Sequence, residues 1–349
     1  MARITLDQVC RQARGQSILD HVSFSAGQGE FIALVGASGA GKTSIVRAIA
    51  GFDPVSDGSI LFDNDDVTEW SPGDRDVGIV TQHNTLFPTK RVRSNLLFPL
   101  WARGVDRAEA HARVKAEADA NALANILDRW PATLSAGEQQ LTQIARALIR
   151  RPKVFLMDEP LANLDPVARR RLRRELRSIQ QGYGVTTIYV ANRADEIMTM
   201  PDRLVVIEQG RVIQTGTPAA IYDAPGSLTA AGLTGELGTV SGTIVHDGNG
   251  LVLQNDGLAM RLLPGPVGAH AGEQVTLGVR HHDVRVAESG QLTCRAGALR
   301  YFGSTMVREL TCAAGTLCTI DHEIDEGSLV SVWLDRWQLY DRAGRVIDA

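Results

Sequence analysis

Phe31 to Val35 is an unbroken run of apolar, β-prone residues that empties into the loop Gly36 to Thr43, read Gly-Ala-Ser-Gly-Ala-Gly-Lys-Thr. The next residues, Ser44 to Ala50, suit a helix. Strand, glycine-rich loop and helix in that order constrain the fold more than any other feature of the chain. The spacing has a chemical reason. Glycines let backbone N–H groups turn inward around phosphate oxygens where a Cβ would collide. The helix start adds free donors and a partial positive charge. Gly36, Ser38, Gly39, Ala40, Gly41, Lys42, Thr43 and Ser44 are therefore candidate phosphate contacts. Lys42 supplies charge to the β- and γ-phosphates, and the Thr43 hydroxyl is a candidate Mg²⁺ ligand. The loop alone does not choose between a GTPase, a kinase, a helicase and a transport ATPase.

Two further segments narrow the choice. Val154 to Met157 is a second apolar run, and it delivers Asp158 and Glu159 to the edge of a sheet. In this setting Asp158 suits Mg²⁺, and Glu159 suits the orientation or deprotonation of an attacking water. Leu134 to Glu138 precedes a helical stretch, Gln139 to Arg150, with apolar residues at 141, 144, 145 and 148. Ser135 and Glu138 have capping-box spacing. The segment is thus either an ordinary capped helix or a second phosphate-facing helix start.

Together these residues resemble the nucleotide-binding subunit of an ATP-binding-cassette transporter, over nearly the whole chain. In that light Gly36 to Thr43 is the Walker A loop and Val154 to Glu159 is Walker B. Leu134 to Glu138 stands at the signature, Gln82 at the Q-loop, and Leu161 to Asp165 at the D-loop. The segments Asn95 to Leu100, Asp202 to Ile207 and Gly216 to Tyr222 are similar to the importers for maltose, glycerol phosphate and other carbohydrates. The resemblance implies ATP and Mg²⁺, with Gln82 joining Thr43 and Asp158 at the metal. It assigns Glu159, Gln82 and the residue at position 192 to catalysis, and Ser135, Gly137 and Asp165 to nucleotide contact. It also implies a head-to-tail pair of cassettes, expected to be a homodimer, that sandwiches two ATP molecules. The other implied partners are two transmembrane permeases and an external solute-binding protein, with this chain on the cytoplasmic face of the membrane.

Three departures from the family pattern stand out. The signature reads Leu-Ser-Ala-Gly-Glu, so Ala136 replaces a glycine and Glu138 a glutamine. Ala136 adds a methyl where backbone approaches phosphate, so a weakened contact from the opposite chain is expected. Asn192 occupies the place of the family histidine; it donates a hydrogen bond but carries no charge. Finally, no aromatic lies between Cys10 and Leu19 to stack on adenine; Arg14 can stack through its guanidinium plane or sit in a loose loop.

Length and composition fit two domains. The chain has 349 residues and a formal net charge of −4, which gives no reason to expect nucleic acid as a partner. No apolar run reaches a membrane-spanning length, and the start of the chain lacks a signal-peptide core. Strand-like and helical stretches alternate up to Gly232–Gly238, and short strands with Gly turns follow. The expected architecture is an α/β P-loop NTPase cassette over 1–235, with a helical subdomain at about 84–150. An all-β, OB-like barrel over 236–349 follows, with Tyr301 to Ser304 among its closest matches to the importer branch. The barrel lacks a basic aromatic platform, so docking or regulation is expected of it. The arginines between 169 and 177 are read as a solvated helix face. Cys312 and Cys318 are read as candidates to face each other across a hairpin, kept reduced. His281 and His282 are read as adjacent strand residues on opposite faces, not a metal pair.

The reading is an ATP-hydrolysing importer subunit for a carbohydrate or related solute. The alternative is a nucleotide-gated, poorly hydrolysing structural subunit, motivated by the departures. A soluble cassette acting on ribosomes or DNA fits less well, given one cassette per chain and the importer-like tail.

Overall fold

The computed structural model describes residues 2–13, 15–248, 250–255, 258–262, 270–302 and 305–347. Arg14 and the Gly303–Ser304 part of the Tyr301–Ser304 match lie outside them. The chain divides into two compact units, Met1–Ala219 and Ala220–Ala349. The second unit thus starts upstream of the Gly232–Gly238 boundary read from the sequence.

The first unit runs β1 (Ile4–Ala13), β2 (Gln16–Ala26), β3 (Phe31–Val35), α1 (Lys42–Ile49), β4 (Asp57–Phe62), β5 (Asp65–Asp66) and β6 (Val77–Val80). It continues with α2 (Val92–Trp101), α3 (Arg107–Ala120), α4 (Ala136–Leu148), β7 (Val154–Asp158), α5 (Pro166–Tyr183), β8 (Thr186–Val190), α6 (Ala194–Ile197), β9 (Arg203–Glu208) and β10 (Arg211–Gly216). The central sheet has the order β10-β9-β3-β8-β7-β6. Its strands are parallel except for β10, which pairs antiparallel with β9. All five residues of β3 and all five of β8 are buried, as expected of parallel strands covered on both faces. Ile45, Val46 and Ile49 of α1 join Leu34, Leu156, Ile188 and Ile207 in one apolar cluster. That cluster fixes the loop before α1 against the carboxyl ends of β3 and β7, the edge where open α/β sheets bind ligands. An antiparallel sheet, β2-β1-β4-β5, accompanies it.

The second unit takes in α7 (Pro218–Asp223, which spans the division) and α8 (Leu228–Thr234), then β11 (Gly238–His246), β12 (Leu251–Asn255), β13 (Leu258–Arg261), β14 (Gln274–Val279) and β15 (Val284–Ala287). After these come β16 (Leu292–Phe302), β17 (Thr305–Cys312), β18 (Gly315–Thr319), β19 (Leu329–Leu334), β20 (Gln338–Tyr340) and β21 (Val346–Ile347). All belong to one antiparallel sheet around an apolar core that includes Val240, Leu277, Leu310 and Val332, in keeping with the OB-like reading. Arg280 ties α7 and α8 to this core, donating to the carbonyls of Tyr222, Ala231 and Glu236 and to Thr234 Oγ1.

Several sequence expectations change. The Ala-rich stretch from Asp106 to Leu127 reads as helical in the sequence, but α3 ends at Ala120, because Ala122 takes a left-handed conformation (φ 53°) before a short 3₁₀ turn. Cys318 pairs with Glu309, not Cys312. Cys312 instead meets Cys294, the position that follows from the Arg295–Thr311 register. His281 and His282 belong to a 3₁₀ turn, His281–Asp283, and not to a strand. The basic helix α5 is only half a solvated face. Arg169, Arg173 and Arg177 repeat at a spacing of four and bond inward, to the Leu161 and Leu164 carbonyls, to Asp195 and to Asp202. Arg170, Arg171 and Arg174 are the exposed ones.

Candidate functional site

The glycine-rich loop turns immediately after β3. Gly36 has φ 159°, and a Cβ there would fall 2.2 Å from the Ile207 carbonyl oxygen, so only glycine fits against β9. Gly39 is left-handed (φ 79°) with open space where a Cβ would go, the form needed for close backbone approach to a ligand. Lys42 is only 6% exposed. Its Nζ donates to the carbonyls of Gly36 (2.7 Å) and Ala37 (2.8 Å), so the side chain folds back along the loop. Burial lowers its pKa, and the nearby Glu159 and Asp158 carboxylates oppose that shift.

Thr43 Oγ1 donates to Asp158 Oδ1 at 3.1 Å, across 115 positions of sequence. This bond brings the two motifs into one site. Burial raises the Asp158 pKa, while Thr43, Lys42 and Arg47 hold it down. A hydroxyl and a carboxylate in contact are an oxygen donor pair of the kind Mg²⁺ takes. Glu159 follows at φ 46°, rare for a residue with a side chain. Its amide donates to the Val190 carbonyl (3.3 Å), which anchors it beside β8. Such conformations persist where the surroundings over-determine them, and they cluster at active sites.

Asn192 is exposed and lies two residues past β8, whose last residue, Val190, pairs with Asp158. Its neighbour Arg193 is held by Asp195 (3.2 Å), which Arg173 also binds (2.9 Å). Gln82 is exposed two residues past β6, and its carbonyl accepts from Asn163 Nδ2 at 3.1 Å. That bond joins the Q-loop to the D-loop, but no hydrogen bond among the described residues joins the Gln82 side chain to Thr43 or Asp158. Asp165 caps α5, accepting from the amides of Val167 (2.9 Å) and Ala168 (3.0 Å).

Ser135 caps α4 as the sequence predicts, in a complete capping box. Glu138 Oε2 accepts from Ser135 N (2.7 Å) and from Ser135 Oγ (2.9 Å). The signature hydroxyl is therefore engaged by a carboxylate. Gly137 sits in the first turn, with only the Ala168 Cβ near its open side. Among the described residues, neither shows a hydrogen bond to the phosphate loop of its own chain.

The sequence reading missed one contact. Arg11 Nη1 donates to Ser44 Oγ at 3.1 Å, and Arg11 also pairs with Asp53 (3.1 Å), which binds Arg47 (2.9 Å). Arg11 is on β1, 33 residues away from Ser44. No local pattern signals the pair.

Residues 19–162 match the ABC transporter family profile. The sn-glycerol-3-phosphate import ATP-binding protein UgpC of Ruegeria sp. (strain TM1040) is 38% identical over 290 residues, 83% of this chain and 81% of that protein. The chain belongs to the ABC transporter ATPase family. The Fe(3+) ions import ATP-binding protein FbpC of Rhizobium etli is 35% identical over 325 residues, covering 92% of this chain and 91% of its own. Among solved structures, a nucleotide-free ATP-binding cassette from an ABC transporter aligns with TM-score 0.55 and 25% identity, over 62% of this chain and 92% of that one. The ABC ATPase is thus a nucleotide-binding enzyme. No helix among its described residues is long and apolar enough to cross a membrane.

Proposed function

We propose that this ABC ATPase hydrolyses MgATP to drive an importer for a carbohydrate or related solute. The observation that carries the site assignment is the Thr43–Asp158 hydrogen bond beside a buried Lys42. The loop amides and Lys42 hold the phosphates, and Ser44 adds a hydroxyl. Thr43 and Asp158 hold Mg²⁺, which neutralises phosphate charge when bound, with Gln82 arriving when the cassette closes. Glu159 accepts the proton of the attacking water, and Asn192 donates to the γ-phosphate. Ser135 and Gly137 serve the phosphate of a second copy of the chain, with Asp165 at the same seam.

The permeases fit a groove of about 430 Å³ in the first unit, lined by Phe87, Phe98, Pro99, Ala102 and Arg146. Phe98 is 43% exposed although apolar, and exposed aromatic surface of this kind suits protein docking. Solute choice lies with the permeases and the external binding protein. Related cassettes of similar identity are named for glycerol phosphate and for ferric ion, so identity at this level does not fix the individual solute. The glycerol-phosphate relative and the Asn95–Leu100 segment support a carbohydrate-type solute.

The test is nucleotide binding and steady-state ATPase of the full chain with its co-purified partners. Lys42→Ala should lose MgATP binding with the fold intact. Glu159→Gln should bind MgATP, close into a dimer and not turn over. Unchanged ATP affinity in the first variant, or near-normal turnover in the second, would refute the site assignment.

A further inference from the structure

We propose that Cys10, Asp20 and His21 form a site for a thiophilic divalent cation of the zinc class, apart from the nucleotide site. The strand register builds it. Val9 pairs with Val22 and Arg11 with Leu19. Between those pairs Cys10 alone faces two residues, Asp20 and His21, which is a β-bulge. Adjacent residues of a regular strand point to opposite faces. Here His21 is left-handed, with φ 52°, and both side chains turn toward Cys10. One donor atom from each residue, a sulfur, a carboxylate oxygen and an imidazole nitrogen, lies within 4.8 Å of the other two.

Side-chain rotation would bring these donors to the spacing a metal requires, with the His21 ring and the Asp20 carboxylate moving apart from their 2.6 Å contact. Tetrahedral Zn²⁺ holds its donors at about 2.0–2.3 Å, which separates them from one another by roughly 3.5 Å. The surroundings orient the donors in the way metal sites do. The His21 amide donates to Cys10 Sγ at 3.3 Å, which fixes the position of the sulfur. Arg211 Nε donates to Asp20 Oδ2 at 2.7 Å and leaves Oδ1 facing the His21 ring at 2.6 Å. A simple His–Asp pair accounts for that last contact, but not for a backbone N–H aimed at the sulfur. Sulfur, nitrogen and oxygen together select zinc over the hard cations Mg²⁺ and Ca²⁺. Binding converts the thiol to a thiolate and releases one proton to solvent. The His21 side chain is 62% exposed, so ions reach the site, and water completes the coordination.

The site also adjoins the phosphate loop. Asp20 N donates to the Gly210 carbonyl, and Gly210 N donates to the Ala40 carbonyl. Two backbone hydrogen bonds thus connect the bulge to the loop that precedes Lys42.

The test is titration of the untagged, chelator-treated full chain with Co²⁺ as the spectroscopic probe, without nucleotide. One Co²⁺ per chain should bind with a thiolate charge-transfer band and the strong visible absorption of a tetrahedral ion. Zn²⁺ should displace it, and millimolar Mg²⁺ should not. Cys10→Ser should abolish the charge-transfer band, and His21→Ala should weaken binding about tenfold or more. Unaltered MgATP binding by Cys10→Ser would show that its fold is intact. Absence of stoichiometric binding overturns the proposal. So does a thiolate band that survives Cys10→Ser, since Cys294, Cys312 and Cys318 would then be its source.

Discussion

Replacing Glu138 by Gln should strengthen ATP-dependent pairing of two cassettes without changing how one cassette binds ADP. Glu138 is ionised at neutral pH. The Ser135 amide and hydroxyl hold its carboxyl below the usual range, Arg129 and Arg171 reinforce this, and its slight burial opposes it. Its Oε2 lies 2.9 Å from Ser135 Oγ, the hydroxyl that would meet a γ-phosphate of the opposite chain. A phosphate oxygen taking a hydrogen bond from Ser135 sits about 3 Å from that hydroxyl. It is then about 4.5 Å from the carboxylate. Two unit charges at that distance repel by about 1 kcal/mol in water and about 4 kcal/mol at an effective dielectric of 20. Glu138 is 36% exposed, so the lower part of the range applies, about 1–2 kcal/mol after screening. Glutamine keeps an oxygen for the capping box, so α4 should keep its start.

The assay is sedimentation of the full chain with MgATP, in a Glu159→Gln background that prevents turnover. Because the head-to-tail pair holds two such sites, Glu138→Gln should lower the dimer dissociation constant about 30- to 800-fold, the equivalent of about 2–4 kcal/mol. The gain should shrink as salt is raised, and ADP should show none of it, because the γ-phosphate is missing. Equal dimerisation by both variants, or a gain that ADP shares, would refute the argument. Either result would leave Ser135 without a phosphate to serve.

Asn192→His should raise turnover roughly 10- to 100-fold in the assembled transporter with little change in ATP affinity, because one donor to developing charge contributes mainly in the transition state. A fast wild type that histidine does not improve would show that Asn192 suffices. Arg11→Gln and Ser44→Ala should each weaken MgATP binding, and the double variant should be no weaker than the poorer single one. Arg11 only donates, so Ser44 Oγ must accept from it and is left with its own proton for phosphate. Additive losses in a double-mutant cycle of nucleotide affinities would show that the two act separately.

Much of the site is legible locally. The loop, the strand that feeds it, the acidic pair after β7 and the capping box each occupy one short window, and the periodicity of that window determines its form. What local windows miss is register. Cys312 was expected to face Cys318 because six residues and a Gly turn suggest a hairpin. The hairpin forms, but its tight turn pairs Cys312 with Gly315 and moves Cys318 opposite Glu309. The one-against-two pairing at Cys10 depends on a bulge that no residue type announces. Arg169, Arg173 and Arg177 read as solvated because arginine usually is. The anchors of Arg173 and Arg177, Asp195 and Asp202, lie past β8 in the chain and become visible only once the sheet is built. The same holds for Arg11 and Ser44, which meet because β1 crosses the start of α1.

Two of the three departures from the family pattern, at Glu138 and Asn192, fall on one side of the reaction; the third, the lack of an adenine-stacking aromatic between Cys10 and Leu19, falls on nucleotide binding itself. Lys42, Thr43 and Asp158, proposed to meet MgATP in the ground state, have their usual identities and are brought together. In the proposed cycle Glu138 and Asn192 would act later, at closure and at bond cleavage: the first adds a negative charge there, and the second withholds a positive one. Arg193 does not replace the missing charge, because Asp195 holds it and Arg173 holds Asp195 in turn. Once MgATP is bound, such a cassette should close and hydrolyse slowly. This separates the two readings of the chain by kinetics rather than affinity. A driver of import recovers its rate when the permeases press the cassettes together, since imposed proximity offsets the repulsion at Ser135. A nucleotide-gated structural subunit stays slow in the complex. Comparison of Glu138→Gln and Asn192→His in free and assembled protein distinguishes them. If assembly makes the Glu138 substitution silent while the Asn192 substitution still accelerates turnover, the permeases supply the closure, and the chemistry at Asn192 limits the rate.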